Sequence, residues 1–259
     1  MTAPSLAGPL SSAEPALVLA AHGTRSRAGE RTLEHLAHVM RARRPGHRVT
    51  LAYLEISRPS LGSVLATLTG PAVVVPLLLA GGYHVHVDLP ETLTRRPASG
   101  HVPDVLPARY LGPHPLLAHA LARRLDEAGL TPRHRVVLGA AGSSDPAARA
   151  EVRAAARLLA VRLARPVTAA YAGDADFTAE GTPPLAAAIG PDTAIASYLL
   201  APGFFHDRLR AAGAPLVSAP LGEEVAELGW LRYDEAVQRA RKCQPIQHHA
   251  RTTATRPAG

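Results

Sequence analysis

ALVLAAHGTRS at residues 16–26 is answered by HRVVLGAAGSSD at residues 134–145, and this pair of stretches decides the fold. Each is a short β-rich apolar run closed by a glycine-containing turn. Two further pairs follow in the same order. VTLAYLE (49–55) lines up with VTAAYAG (167–173), keeping Val, Thr, Ala and Tyr in step, and PLLLAGGYH (76–84) lines up with SYLLAPGFF (197–205). The three offsets are 119, 118 and 121 residues, so one register serves both halves and the chain reads as a duplication.

Within the first copy, apolar runs alternate with helical spacing. RVTLAYLE (48–55), AVVVPLLLA (72–80) and VLPARYL (105–111) read as strands, whereas TLEHLAHVMRARR (32–44), SLGSVLATL (60–68) and PLLAHALARRLDEAG (115–129) read as helices. Pro76 predicts a bulge, since proline cannot donate to a ladder. EEVAELGWLRYDEAVQRARK (223–242) is a closing helix. Strands separated by helices imply βαβ units. The expected fold is α/β: two tandem, similar Rossmann-like domains, each with a mainly parallel sheet flanked by helices. They span 15–130 and 131–242, between a disordered N-terminus at 1–14 and a disordered tail at 243–259.

Composition narrows the function. Among 259 residues, 47% are apolar, enough for packed cores, and the single cysteine, Cys243, excludes a disulfide framework or a CxxC metal site. No segment approaches the roughly 18 apolar residues of a membrane span. MTAPSLAGPLSSAE lacks a signal peptide's basic start and apolar run, so a cytoplasmic protein without membrane partners is expected. The net charge of +7 would ordinarily raise nucleic acid as a partner. Yet Lys242 is the only lysine among 28 basic residues, an arginine skew that looks like the codon bias of a GC-rich genome. Residues 1–125 carry +6, residues 126–238 carry −4 and the tail carries +5, which points an anionic partner other than nucleic acid to the first half.

Ligands of parallel α/β sheets bind beyond the carboxyl ends of the strands. His22 follows the first strand, Glu55 ends the second, and the third runs into GGYHVHVDLP with His84, His86 and Asp88. Imidazole and carboxylate suit a borderline divalent metal, and three protein ligands leave a coordination position open. The repeat is an internal control: His22 aligns with Ala141, Glu55 with Gly173 and His84 with Phe205. The scaffold persists while the chemistry is confined to the first copy.

AHGTR (21–25), YLEISRPSL (53–61) and VPLLLAGGYHVHVDLP (75–90) resemble motifs of the two-domain sirohydrochlorin chelatases, in the class of chelatases that act without ATP. The resemblance extends over about residues 16–235, with the specific motifs in the first half. A histidine four residues before the aspartate of D-[IL]-P picks out His84 rather than His86. The resemblance implies insertion of Fe²⁺ or Co²⁺ into sirohydrochlorin, for sirohaem or cobalamin, with no cofactor beyond that metal substrate. It assigns the metal to His22 and His84, with the acidic Glu55 nearby as ligand or proton carrier. Neutral histidine can serve as ligand or base near pH 7, because its reference pKa is about 6.5. Arg25, Arg58 and Tyr83 are the candidate contacts to the substrate, whose several carboxylates suit bidentate arginine forks. A fused second domain supplies the pairing a half-length chain would need from another subunit, favouring a monomer over a homodimer.

Each assignment has a plainer reading. His22 before glycine can simply shape a turn, Glu55 can pair with Arg58 on the surface, and Asp88 can cap a helix beginning near Pro90. His86 shares a strand face with His84 and stands as a reserve ligand. His35, His38, His47, His248 and His249 show no partner pattern. A metallochaperone with the same His22–Glu55–His84 cluster is the alternative function. A nucleotide-binding protein fits poorly, since AHGTRSRAG matches neither phosphate-loop fingerprint. A histidine phosphatase would want an arginine where Ala21 stands.

Overall fold

The computed structural model describes residues 14–81, 92–93, 104–173 and 185–243, which form two four-stranded sheets of parallel strands. The first contains β1 (Ala16–Ala21), β2 (Val49–Tyr53), β3 (Ala72–Pro76) and β4 (Val105–Pro107) in the order β2-β1-β3-β4. The second contains β5 (Arg135–Ala140), β6 (Val167–Tyr171), β7 (Thr193–Ser197) and β8 (Leu216–Val217) in the matching order β6-β5-β7-β8. The sequence offsets carry through to the register. Leu17 pairs with Val49 and Val73, and their counterparts Val136, Val167 and Ala194 pair in the same way. Even the hydrogen bonds leaving the strands repeat: Leu77 N–H donates to Ala20 O, and Tyr198 N–H to Gly139 O, both at 2.8 Å.

Alternation along β1 sends Leu17, Leu19 and Ala21 to one face and Val18 and Ala20 to the other, and all five are buried. Apolar residues on both faces are what a parallel sheet sandwiched between helices requires. On the outer face of the first sheet lies α2 (Leu61–Ala66), capped by Ser60. The outer face of the second is covered by residues of α5 (Leu185–Ala188) and α6 (Phe204–Ala211). The inner faces share one core with α1 (Arg27–Arg43), α3 (Pro115–Glu127), α4 (Pro146–Leu163) and α7 (Ala226–Cys243). In α1 the stripe Leu33, Leu36, Ala37 and Met40 is buried, and Ser26 Oγ accepts from Gly29 N–H to cap the helix.

The halves are interlocked. α3, which follows the first sheet in sequence, packs on α4 and β7 of the second; α7, which ends the described chain, packs on α1, β3 and β4 of the first. Matching arginines hold these crossovers. Arg124 Nη2 on α3 donates to Leu221 O at 3.2 Å, and Arg232 Nη2 on α7 donates to Leu111 O at 3.1 Å. Each also pairs with the glutamate three residues on, Glu127 and Glu235. α7 is further fixed by a bidentate Arg44–Asp234 pair at 2.6 and 2.7 Å and by Tyr233 Oη donating to Pro15 O at 2.7 Å. A cut at residue 130 would strip each sheet of a helix that covers it.

Some expectations shift. Pro76 makes no bulge; it ends β3 opposite Ala20, where the absent N–H leaves no gap inside the ladder. The strand expected over 105–111 stops at Pro107. The closing helix begins as a 3₁₀ turn, Gly222–Val225, before α7. The segments expected to be disordered lie outside the described residues apart from Glu14 and Cys243. Among the described residues no helix is long and apolar enough to cross a membrane.

Arg232 is 2% exposed and also donates through Nε to Tyr110 O at 2.9 Å. Arg232→Met should therefore strand two carbonyls and cost about 2–4 kcal/mol in urea denaturation. An unchanged denaturation midpoint would show that the crossover does not need its arginine.

Candidate active site

The carboxyl ends of both sheets open onto one cleft of about 820 Å³. Its lining includes His22 and Arg25 from the first lobe and Arg149 and His206 from the second, and among the described residues no carboxylate lines it.

His22 is half-buried, directly beyond β1. The turn it enters is made by Gly23, whose φ of +107° favours glycine and whose added Cβ would lie 2.1 Å from Glu55 O. The second copy keeps this turn without the histidine: Gly142 has φ +109°, and Gly173 N–H donates to Ala141 O at 2.9 Å, as Glu55 N–H does to His22 O at 3.0 Å. The glycine shapes the loop, so the imidazole is not there for the fold.

The second strand exit is fastened to the first. Ser57 is buried, and its Oγ accepts from Thr24 N–H at 3.1 Å and donates to Thr24 O at 2.9 Å. Ser57 N–H closes onto Glu55 O at 2.6 Å, a γ-turn that puts Ile56 at φ +60°. A β-branched residue in that region carries about 1–3 kcal/mol of strain. The result is an isoleucine 54% exposed at the cleft.

Of the sequence candidates, His22 and Arg25 line the cleft together. Glu55 and Arg58 are exposed on the loop flanking Ile56 and are not part of the lining. Tyr83 and His84, with His86 and Asp88, lie outside the described residues. Phe205, aligned with His84, lines the second lobe's wall beside Phe204, their rings 5.3 Å apart and edge to face.

Other contributors carry no motif in the sequence. Glu151 on α4 reaches across to the first lobe, where Oε2 accepts from Gly81 N–H at 2.5 Å and Oε1 accepts from Tyr110 Oη. It thereby pins the exit of β3, three residues before His84. Burial, then the Glu151 hydrogen bond and charge, push the Tyr110 phenol up to about 12. Tyr198 Oη donates to Leu79 O at 2.7 Å, and burial likewise raises its pKa. His206 Nε2 lies 3.3 Å from Ser218 O, and burial lowers its pKa. Both glutamate and tyrosine look like ordinary surface or core residues until the lobes are brought together.

Two parallel sheets in the same strand order, facing a cleft with a histidine at one central strand's end, define a two-lobed α/β protein. Residues 16–128 match the CbiX family model, a span that contains His22, Glu55 and His84. The whole is similar to SirB from Bacillus subtilis with Fe³⁺, at TM-score 0.71 and 22% identity over 89% of this chain and 98% of that one. It is also similar to the sirohydrochlorin chelatase SirB from Bacillus subtilis subspecies spizizenii in complex with cobalt, at TM-score 0.68 and 20% identity over 89% and 98%. A multi-domain Deinococcus radiodurans protein with structural similarity to chelatases matches at TM-score 0.65 and 24% identity, over 86% of this chain and 56% of its own. No curated protein matches the chain in sequence. The chain thus has the architecture of the sirohydrochlorin chelatases, with the CbiX pattern in its first lobe.

Three outcomes follow from this geometry. Gly23→Ala should cost at least about 2 kcal/mol, from the positive φ and the collision with Glu55 O. His22→Ala, which reproduces the second copy's own Ala141, should stay within about 0.5 kcal/mol of the parent in the same denaturation experiment. The Tyr110 phenol ionises near pH 10.0 when unfolded and at about 12 when folded. Its stabilising share is therefore complete below pH 10 and drains away as pH rises from about 10 to 12. Tyr110→Phe should lose less stability across that window, and parallel curves would refute the clamp.

Proposed function

We propose that the protein is a sirohydrochlorin chelatase, inserting a divalent metal into the macrocycle and releasing two protons. The observation that carries this reading is His22: a cleft-lining imidazole at a turn that the second copy builds equally well without it. The cleft, at about 820 Å³, is of a size for a large planar ligand rather than a bare ion. The CbiX match over 16–128 and the B. subtilis structures with Fe³⁺ and cobalt support the same chemistry.

In this reading His22 and His84 hold the incoming metal, with Glu55 as the nearby carboxylate that binds it or carries protons outward. The ligands must be weak enough to surrender the metal to four pyrrole nitrogens. Imidazole and carboxylate meet that need, where a thiolate cage would not. Each pyrrole N–H proton leaves as a metal–nitrogen bond forms, and an imidazole that has given up the metal regains the lone pair with which it would accept one, Glu55 carrying the other outward. Arg25, Arg58 and Tyr83 contact substrate from the first lobe. Iron would serve sirohaem synthesis and cobalt would serve cobalamin, and this donor set accepts either metal. The proposed setting is the cytoplasm, with the single chain as the working unit.

Purified protein incubated anaerobically with metal-free sirohydrochlorin and Fe²⁺ or Co²⁺ should accelerate insertion, followed by the macrocycle's visible absorbance. His22→Ala should cut the rate about a hundredfold or more while leaving the protein folded. A parent rate equal to spontaneous insertion would end the enzyme reading. Retained Co²⁺ binding in that case would favour a metallochaperone.

A further inference from the structure

Arg149 stands in the first turns of α4, at the position that Glu30 occupies in the first copy. It is only 9% exposed, yet it lines the cleft. Its Nη1 donates to Ser143 O and to Ser144 O, each at 2.9 Å. Those two bonds fix the plane of the guanidinium. Among the described residues, Nε and Nη2 make no hydrogen bond, and no carboxylate pairs with the group. The adjacent acid, Glu151, is engaged by Gly81 and Tyr110.

A guanidinium cannot shed its charge at any ordinary pH. A buried, uncompensated cation is costly, and an arriving anion removes that cost. The geometry left over suits a carboxylate, because Nε–H and the adjacent Nη2–H form a parallel donor pair. The wall around it suits a large apolar body: Phe204 and Phe205 are 67% and 39% exposed, and among the described residues the lining contains no acid to repel an anion. Small side chains at Ala140, Ala141 and Gly142 leave that wall open.

We propose that the second lobe is the substrate-holding wall of the cleft, in which Arg149 takes one carboxylate of the tetrapyrrole as a bidentate fork while Phe204 and Phe205 contact its apolar surface. This rests on the chelatase reading and divides the work: the first lobe handles the metal and contacts the substrate through Arg25, Arg58 and Tyr83, while the second lobe supplies the wall that holds the macrocycle. The exchange of Glu30 for Arg149 across the repeat then has a purpose, since it places a substrate-binding cation on the second lobe.

The test is a binding titration of metal-free sirohydrochlorin, with no metal present, against the parent, Arg149→Gln, Arg149→Lys and Phe204→Ala. Arg149→Gln should weaken binding roughly tenfold or more. Arg149→Lys, which keeps the charge but not the fork, should fall between it and the parent. The same titration with the fully methyl-esterified macrocycle removes the carboxylates. The parent should lose more affinity on esterification than Arg149→Gln does, because the variant has already lost one carboxylate contact. Equal losses in the two proteins would overturn the proposal, as would an unchanged Kd for Arg149→Gln with the free acid. Should the glutamine variant fail to fold, the lysine variant and the ester comparison decide the matter: lysine binding like the parent in both titrations overturns the fork. Phe204→Ala, at an exposed position, should weaken acid and ester alike, and no weakening of either would remove the aromatic contact from the proposal. If the parent binds and metallates sirohydrochlorin while Arg149→Gln does so equally well, only this inference falls. If the parent does neither, the chelatase reading falls with it.

Discussion

Each half of the chain lends its closing helix to the other half's sheet, and the cleft depends on that exchange. α3 leaves the first sheet to cover the second, and α7 returns to cover the first. The inner layer of helices is therefore common to both lobes, and its apolar side chains form one continuous core. Two lobes joined only by a linker would meet through a modest, mobile interface. Here, opening the cleft by separating the lobes would expose core, strand the Arg124 and Arg232 donors and leave Leu221 O and Leu111 O without those partners.

That constraint gives the cleft its walls. Strand ends from two sheets are held facing each other, and cross-lobe hydrogen bonds tie the loops between them. Tyr198 reaches Leu79 O at 2.7 Å, and Glu151 ties both Gly81 and Tyr110. On the first lobe, Ser57 joins the exits of β1 and β2 through two bonds to Thr24. Site-bearing loops thus rest on backbone hydrogen bonds and buried side chains rather than on their own propensities. Such support suits side chains that must keep their geometry without the binding energy of a ligand to order them.

The sheets were legible because β-strand alternation and a constant register are local properties. The offsets of 119, 118 and 121 translate directly into equivalent pairings such as Leu17–Val49 and Val136–Val167. The helix exchange was not legible, because amphipathic spacing in α3 and α7 shows that a face is buried without showing which sheet buries it. The chain does hold one clue: R-x-D-E recurs at 124–127 and 232–235, and both arginines prove to be the crossover clamps. At the site, motif spacing brought out His22 and Arg25, while Glu151 and Tyr198 became visible only across the interface and Arg149 only through its burial beside the cleft. Glu151 and Tyr198 act through partners some 40 to 120 residues away, Tyr110 and Leu79.

The duplication separates what the backbone demands from what chemistry demands. Gly23 and Gly142 share a positive φ, and both copies close the same hydrogen bond after the second strand, so the turn survives in each. His22 faces Ala141 in the alignment, His84 faces Phe205 and Glu30 faces Arg149. A fold that merely decayed in one copy would lose polar side chains without gaining others of use. The second lobe instead carries a buried cation and an exposed aromatic pair on the wall of the same cleft. A duplicated sheet thus provides both walls of the cleft from one architecture.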